Sequence, residues 1–322
     1  MPETPRIVLH DSNPAPLVRW LLATFPDAMY RTCDSYQALP DLIHSYRPNV
    51  VYSVRFAGTQ GFPRDALIGP HGPNWIANGG VGIDHFGTWD PAKTTVTNAA
   101  GVAADMMAEY IIGGFLHFTL DVTGLQEDKA KRAWNSRNVV PLAGKTLLIV
   151  GLGHTGRALA KRGKAFGMTV LGTRAHPQAT DHVDEVHAAA DLSGLVPRAD
   201  FIAVATPLIT ATRGLIDAEM IARMKPGVIF ADVSRGGVVD QTALCAALEN
   251  RHVAGAALDV FEIEPLPKNS PFWALENVIL SPHCSSVYAD WQEASFRFFL
   301  NNLGRWMRGE ELMNTVDPRR GY

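Results

Sequence analysis

The sequence predicts an α/β protein in two parts: a doubly wound parallel sheet, and a smaller β-α partner domain. The first observation behind this is the stretch 145–156, KTLLIVGLGHTG, where the apolar run Leu147-Leu148-Ile149-Val150 ends in Gly-x-Gly-x-x-Gly. The second is the repeated alternation of short apolar runs with amphipathic segments, the pattern of β-α units around a parallel sheet. The third is length, because 322 residues exceed one core and a prior of about 150 residues per domain gives two.

Taken in order, residues 1–99 carry β-like runs at 7–9, 50–54 and 75–78, with helix candidates at 16–24 and 36–46. No phosphate-binding glycine turn occurs there, so this is the partner domain. Its loop Asn78-Gly79-Gly80-Val81-Gly82-Ile83-Asp84 reads either as a flexible turn or as a row of N–H donors for an anionic group, and local sequence alone favours the turn. A long helix follows at 101–121. Its most apolar part, 106–120, is interrupted by Glu109 and His117 and falls short of the ~20 residues that cross a bilayer, so it is expected to be buried in protein. A charged segment, 125–134, leads to the glycine stretch. Gly151 permits the tight turn, Gly153 lets a pyrophosphate approach the backbone, and Gly156 lets the following helix, 157–166, pack on its strand. Further strands are expected at 168–172, 201–205, 228–232, 253–258 and 278–280. Between them lie helices 217–224 and 240–249, N-capped by Asp217 and Asp240. The last segment, 288–307, reads as an amphipathic helix rich in Trp and Phe.

Composition narrows the function classes. With 47% hydrophobic and 19% charged residues, the chain is an ordinary soluble globular protein, expected in the cytoplasm. A net charge of −3 gives no positive balance for nucleic-acid phosphates. Cys33, Cys245 and Cys284 lack metal-ligand spacing and suit a reducing compartment, so neither a metal site nor a disulfide framework is expected. The N-terminal MPETPRIVLHDSNP has no basic region followed by an apolar one, so no signal peptide is read. No membrane span is expected.

The chemistry should lie just beyond the strand ends, where open α/β sheets keep their ligands. Ser234-Arg235-Gly236-Gly237 follows one strand, Asp259 and Phe261-Glu262-Ile263-Glu264-Pro265 the next, and Ser281-Pro282-His283-Cys284 the last. Each has a plain alternative: Arg235 as a surface charge, Glu264 as a turn cap, His283 as a loop histidine. Their shared edge raises them together. Cys284 invites a nucleophile reading, but neighbouring side chains on an extended segment point apart.

The ordered set GLGHTG at 151–156, MKPGVIFADVSRGGVVD at 224–240, AALDVFEIEPLP at 256–267 and SPHCSS at 281–286, with NGGVGID at 78–84, resembles the D-isomer-specific 2-hydroxyacid dehydrogenase family, and the resemblance spans nearly the whole chain. It implies a Rossmann-type nucleotide domain, 100–286, inserted into a flavodoxin-like substrate domain built from 1–99 and 287–322. It also implies reduction of a small 2-oxo acid, such as glyoxylate or hydroxypyruvate, to a D-2-hydroxy acid. Arg235 would hold the carboxylate and carbonyl of the 2-oxo acid in its planar fork. His283 would donate the proton, and Glu264 would accept the second imidazole N–H and fix the ring. For the cofactor the resemblance points to Gly151, Gly153, His154, Thr155, Gly156, Thr173, Arg174, Thr206, Pro207, Ser234 and Asp259. For the substrate carboxylate it points to Gly79, Gly80 and Val81, with Arg55 adding charge. A homodimer with 101–134 as its arm is implied as well. Proteins of the same architecture that act as dinucleotide-sensing corepressors, or on formate or phosphite, form the alternatives.

Two departures stand out. His283 is followed by Cys-Ser-Ser, where the family more often has small apolar residues and glycine. After the strand at 168–172 the chain reads Gly172-Thr173-Arg174-Ala175-His176, with no acid before Asp181. NAD-preferring folds place Asp or Glu there for the ribose 2′-hydroxyl, so NADP(H) is expected to be favoured over NAD(H).

Overall fold

The computed structural model describes residues 4–56 and 60–318. The chain divides into two compact units, Met1–Val102 with Tyr288–Tyr322, and Ala103–Val287. The first unit opens with β1 (Arg6–His10), α1 (Ala15–Thr24), β2 (Met29–Cys33), α2 (Leu39–Tyr46), β3 (Val50–Ser53), α3 (Arg64–Ile68), β4 (Trp75–Asn78) and β5 (Thr95–Thr97). Both α1 and α2 have a proline in their first turn and no side-chain cap. A proline there loses no hydrogen bond and brings its φ already set for helix. The five strands are parallel in the order β2-β1-β3-β4-β5, the flavodoxin-like arrangement. On β1, Ile7 and Leu9 enter one core with Leu17, Leu21, Tyr52 and Trp75. Val8 enters the opposite core with Leu39, Ile43, Val51 and Ile76. A strand covered on both faces reads as a continuous apolar run, which is how 7–9 was found.

The second unit contains α4 (Ala104–Thr119), α5 (Val122–Lys131), β6 (Thr146–Val150), α6 (His154–Ala165), β7 (Thr169–Thr173), β8 (Glu185–His187), α7 (Leu192–Leu195), β9 (Phe201–Val204), α8 (Ala218–Ala222), β10 (Val228–Asp232), α9 (Gln241–Glu249), β11 (Val253–Leu258) and β12 (Val278–Leu280). Its seven strands are parallel in the order β12-β11-β10-β9-β6-β7-β8. Strand order reverses between β6 and β9, and that switch point opens a crevice at their carboxyl ends. Leu148 and Val150 fill one core with Ile202, Val204 and Phe230, while Leu147 and Ile149 fill the other with Ile111, Phe115 and Ala203. Each such side chain contributes roughly 1.5–3 kcal/mol on burial. The caps form as the sequence predicts: Asp217 accepts from the Met220 N–H at 2.8 Å and Asp240 from the Ala243 N–H at 2.9 Å.

The chain then returns to the first unit as α10 (Trp291–Met307). Phe296, Phe299, Leu300 and Leu303 of this helix join Leu17 and Leu21 in the core, and Trp306 stacks on Trp75 with centroids 5.5 Å apart. Three strands escaped the sequence reading. β2 exposes most of MYRTC, and β5 and β8 are three residues each; β2 and β8 are edge strands and β5 closes the other edge, so none shows a long apolar run. β7 also begins at Thr169 rather than 168, which shifts its end to Thr173. Among the described residues no helix is long and apolar enough to cross a membrane.

Candidate active site

At the carboxyl end of β6 the backbone itself forms the cradle. Gly151 has φ +107°, and a Cβ there would meet Thr206 Cγ2 at 2.7 Å and the Ala205 carbonyl oxygen at 2.8 Å. Only glycine satisfies both constraints. A Cβ on Gly156 would lie 2.1 Å from the Gly151 carbonyl oxygen, so α6 can start this close to the turn only without one. A Cβ on Gly153, by contrast, would touch nothing within 4 Å. Gly153 is the extended N-cap of α6 and supplies no side-chain cap, which leaves the first-turn N–H groups of His154, Thr155 and Gly156 for an anion. Thr206, across the turn, has its Oγ1 buried without a partner among the described residues. An uncapped helix start, open space in front of Gly153 and an orphaned hydroxyl fit a dinucleotide pyrophosphate. Pro207 follows Thr206, and its carbonyl accepts from Thr212 Oγ1 at 2.6 Å, which fixes this side of the crevice.

Beside the cradle, Thr173 and Arg174 differ in role. Thr173 is 2% exposed, and its carbonyl accepts the Leu152 N–H at 2.9 Å, so it braces the glycine turn from within. Arg174 is half-buried, and its guanidinium makes no hydrogen bond or ion pair among the described residues. Glu185, on the neighbouring strand β8, is already engaged by Arg198 and His187.

The groups expected to react lie at the ends of β10, β11 and β12. His283 Nδ1 is 2.9 Å from Glu264 Oε2, and the other oxygen of Glu264 accepts the Phe261 N–H at 3.0 Å. Burial opposes ionisation of Glu264. The hydrogen bonds from His283 and Phe261, with the charges of His283 and Arg235 nearby, outweigh it and hold this carboxyl below its usual range. His283 itself has φ +53°, so 281–285 is not the extended segment the sequence suggests. The case against a nucleophilic Cys284 therefore rests on other grounds: burial, with Asp259 adding to it, pushes its thiol up and away from thiolate. Arg235 is half-buried and donates through Nη1 to the Ser234 carbonyl at 2.7 Å.

Two of the expected cofactor residues sit inside the protein. Ser234 is 2% exposed and donates to Asp232 through both its hydroxyl, at 2.5 Å, and its N–H, at 2.9 Å. Asp259 is 1% exposed and accepts from Ser281 Oγ at 2.6 Å, Cys284 N at 2.8 Å, Ser285 N at 3.1 Å and Ser285 Oγ at 2.5 Å. Ser234 thus steadies the turn that carries Arg235, and Asp259 the loop that carries His283. In the first unit, Gly79 donates its N–H to the Ser53 carbonyl at 2.9 Å, and a Cβ on it would meet Tyr52 Oη at 2.6 Å. The carbonyls of Gly80 and Val81 accept from the side-chain amides of Asn78 and Asn98 at 2.8 and 2.9 Å. The N–H groups of Gly80 and Val81 make no hydrogen bond among the described residues. Arg55 is exposed just past β3. The two asparagines, which bound the glycine loop and the strand beside it, were the missed signal of a built loop.

Asp232 was also missed in the sequence. It is 1% exposed, and burial pushes its carboxyl up to about 7; the Ser234 hydrogen bonds oppose that rise, Asp259 adds to it and Arg235 opposes it. A raised carboxyl contributes stability that is full below the unfolded value of 3.8 and is lost as pH climbs through about 7. Asp232→Asn keeps an acceptor for Ser234 and cannot ionise. Its Tm advantage over the parent should be larger at pH 8 than at pH 5 by roughly 5 °C. An equal difference at both pH values would show that Asp232 does not carry the charge.

Comparison with known proteins identifies relatives of this chain. Residues 112–285 match the family described as D-isomer specific 2-hydroxyacid dehydrogenase, NAD binding domain. A D-3-phosphoglycerate dehydrogenase from Methanocaldococcus jannaschii is 34% identical over 75% of this chain, and the match spans 47% of that longer protein. A glyoxylate reductase from Korarchaeum cryptofilum is 34% identical over 75% of each chain. Among solved structures, an NADPH-dependent glyoxylate/hydroxypyruvate reductase from Sinorhizobium meliloti, in complex with NADP and sulfate, superposes with a TM-score of 0.82 at 25% identity, covering 99% of this chain and 100% of that one.

Proposed function

The chain belongs to the D-isomer-specific 2-hydroxyacid dehydrogenase family, and from that premise we propose that it is an NADPH-preferring reductase converting glyoxylate or hydroxypyruvate to the D-2-hydroxy acid. The observation that carries the reading is the 2.9 Å pair of His283 and Glu264 at the sheet edge that also bears Arg235. The nicotinamide, when bound, supplies the hydride. Arg235 binds the 2-oxo carboxylate and draws charge onto the carbonyl oxygen. His283 delivers its Nε2 proton to that oxygen, because Nδ1 is held by Glu264. In the reverse direction the same Nε2 takes the proton from the hydroxyl. Steady-state turnover of both 2-oxo acids with NADPH tests this, and a purified chain that turns over neither would overturn it.

Cofactor choice rests on Arg174, whose guanidinium stands at the end of β7 where a 2′-phosphate would lie. Each charge-assisted hydrogen bond contributes about 1.5–3 kcal/mol. Arg174→Ala should therefore lower kcat/KM with NADPH by roughly 10- to 100-fold while changing that with NADH less than threefold. An unchanged ratio of the two would remove Arg174 from cofactor selection.

We also include a homodimer in this reading. Leu125, Val139 and Val140 are about half exposed and Trp134 is fully exposed, apolar side chains within and just after 101–134 that a second copy would cover. Sedimentation should give the mass of two chains, reduced to one by Trp134→Asp; a parent that sediments as one chain rules this out.

A further inference from the structure

We propose that Tyr110 is a positioning residue for His283, acting through Ser281 and Asp259; this rests on the reductase reading above. Tyr110 lies on α4, far from the sheet edge in sequence. Ser281 Oγ is 2.7 Å from Tyr110 Oη and 2.6 Å from Asp259 Oδ1. A hydroxyl has one proton to give, and both contacts cannot be donated by Ser281. Asp259 is a buried carboxyl whose oxygens accept from Cys284, Ser285 and Ser281, so the Ser281 proton goes to it. Tyr110 must then donate to the serine oxygen. Burial and the nearby Asp259, Cys284 and Asp232 outweigh the Ser281 contact and push the Tyr110 hydroxyl up to about 12, so it keeps its proton at working pH.

This chain ties α4 to the loop that carries the proton donor. The loop has reason to need it: His283 holds φ +53°, a left-handed conformation that a side chain with Cβ adopts only when its surroundings impose it. Ser281 precedes it by two residues, and Cys284 and Ser285 follow it. All three are gripped by Asp259, so the strained residue is fixed at both ends. Glu264 sets the direction of the ring, and Asp259 sets the place of its backbone. Without the Tyr110 donor, Asp259 alone holds the Ser281 hydroxyl, against the competing Leu258 carbonyl at 3.4 Å, and one end of the loop loosens. A misplacement of about an ångström in a proton donor lowers the chemical step by as much as 100-fold, whereas binding of substrate and cofactor depends on other groups.

The test uses the NADPH-loaded enzyme with glyoxylate, together with ¹⁵N-histidine spectra in which His283 is assigned by its loss in His283→Gln. Tyr110→Phe is expected to lower kcat roughly tenfold with KM within twofold, and to shift or broaden the His283 ring signals while those of the other histidines stay in place. Ser281→Ala should behave alike, and it serves as the test if Tyr110→Phe does not fold. Ser281→Thr, which keeps the hydroxyl, should recover most of the lost kcat. Tyr110→Phe with kcat within twofold of the parent and an unmoved His283 signal would overturn the proposal, as would a variant in which all histidine signals move together. If the parent itself reduces no 2-oxo acid, the reductase reading falls, and the His283 signal alone still decides whether Tyr110 positions that ring.

Discussion

Replacing His283 with alanine is expected to slow the chemical step of 2-oxo acid reduction by roughly two to four orders of magnitude, the usual contribution of a positioned acid. The size follows from the role proposed for the side chain. A carbonyl group whose carbon receives hydride becomes an alkoxide at oxygen, and an alkoxide without a proton source is costly. Nδ1 of His283 faces Glu264 at 2.9 Å, which leaves Nε2 as the nitrogen that can reach substrate. Alanine removes the proton source and frees Glu264. The cradle at Gly151–Gly156 is made of backbone and lies elsewhere on the same edge, so the Kd for NADPH should stay within about twofold. Single-turnover rates at saturating cofactor, beside a fluorescence titration of NADPH, separate these effects. A His283→Ala enzyme with parent-like turnover would reject the proton-donor role, and one that fails to bind NADPH would show that His283 supports the cofactor site.

How far the sequence could see follows the range of the forces involved. The β6–α6 turn was legible because its chemistry is local: Gly151, Gly153 and Gly156 each answer a constraint imposed within a few residues. The central strands β1, β6 and β10 were legible because burial on both faces demands a continuous apolar run through their middles. The edge strands carry no such demand, and β2 could be seen only once β1 was there to pair with it. Arg235, Glu264 and His283 were singled out from their place after strand ends. The groups that hold them were not, because nothing near Tyr110 in the chain hints at a partner 171 residues away. Asp259 and Ser234 are expected at the cofactor from the resemblance, and what the sequence does not reveal is that their buried side chains also brace the loops carrying Arg235 and His283. The same distance between local pattern and tertiary contact explains Thr173, whose shift from loop to strand end turns its side chain inward and leaves Arg174 as the polar side chain outside β7.

Arg235→Lys should keep the positive charge and still lower kcat/KM by roughly 100- to 1000-fold, comparable to the loss of an oxyanion donor. A guanidinium presents parallel N–H donors in one plane, which match a carboxylate oxygen and a neighbouring carbonyl oxygen together. An ammonium is a point charge on a flexible stem and cannot hold both. The surroundings of Arg235 are built for a fixed fork. Ser234 before it is buried and tied to Asp232, and a Cβ on Gly236 after it would come within 2.1 Å of the Phe261 carbonyl oxygen, so the turn has little freedom. Nη1 is anchored on the Ser234 carbonyl at 2.7 Å, which sets the plane of the group before substrate arrives. Lysine loses that anchor as well as the second donor. Because the carboxylate and the developing alkoxide both depend on the fork, KM should rise and kcat should fall together, while NADPH binding is kept. Steady-state kinetics of the lysine variant with glyoxylate decide the matter. A kcat/KM within fivefold of the parent would mean that charge alone suffices and that the planar fork has no part in the reaction.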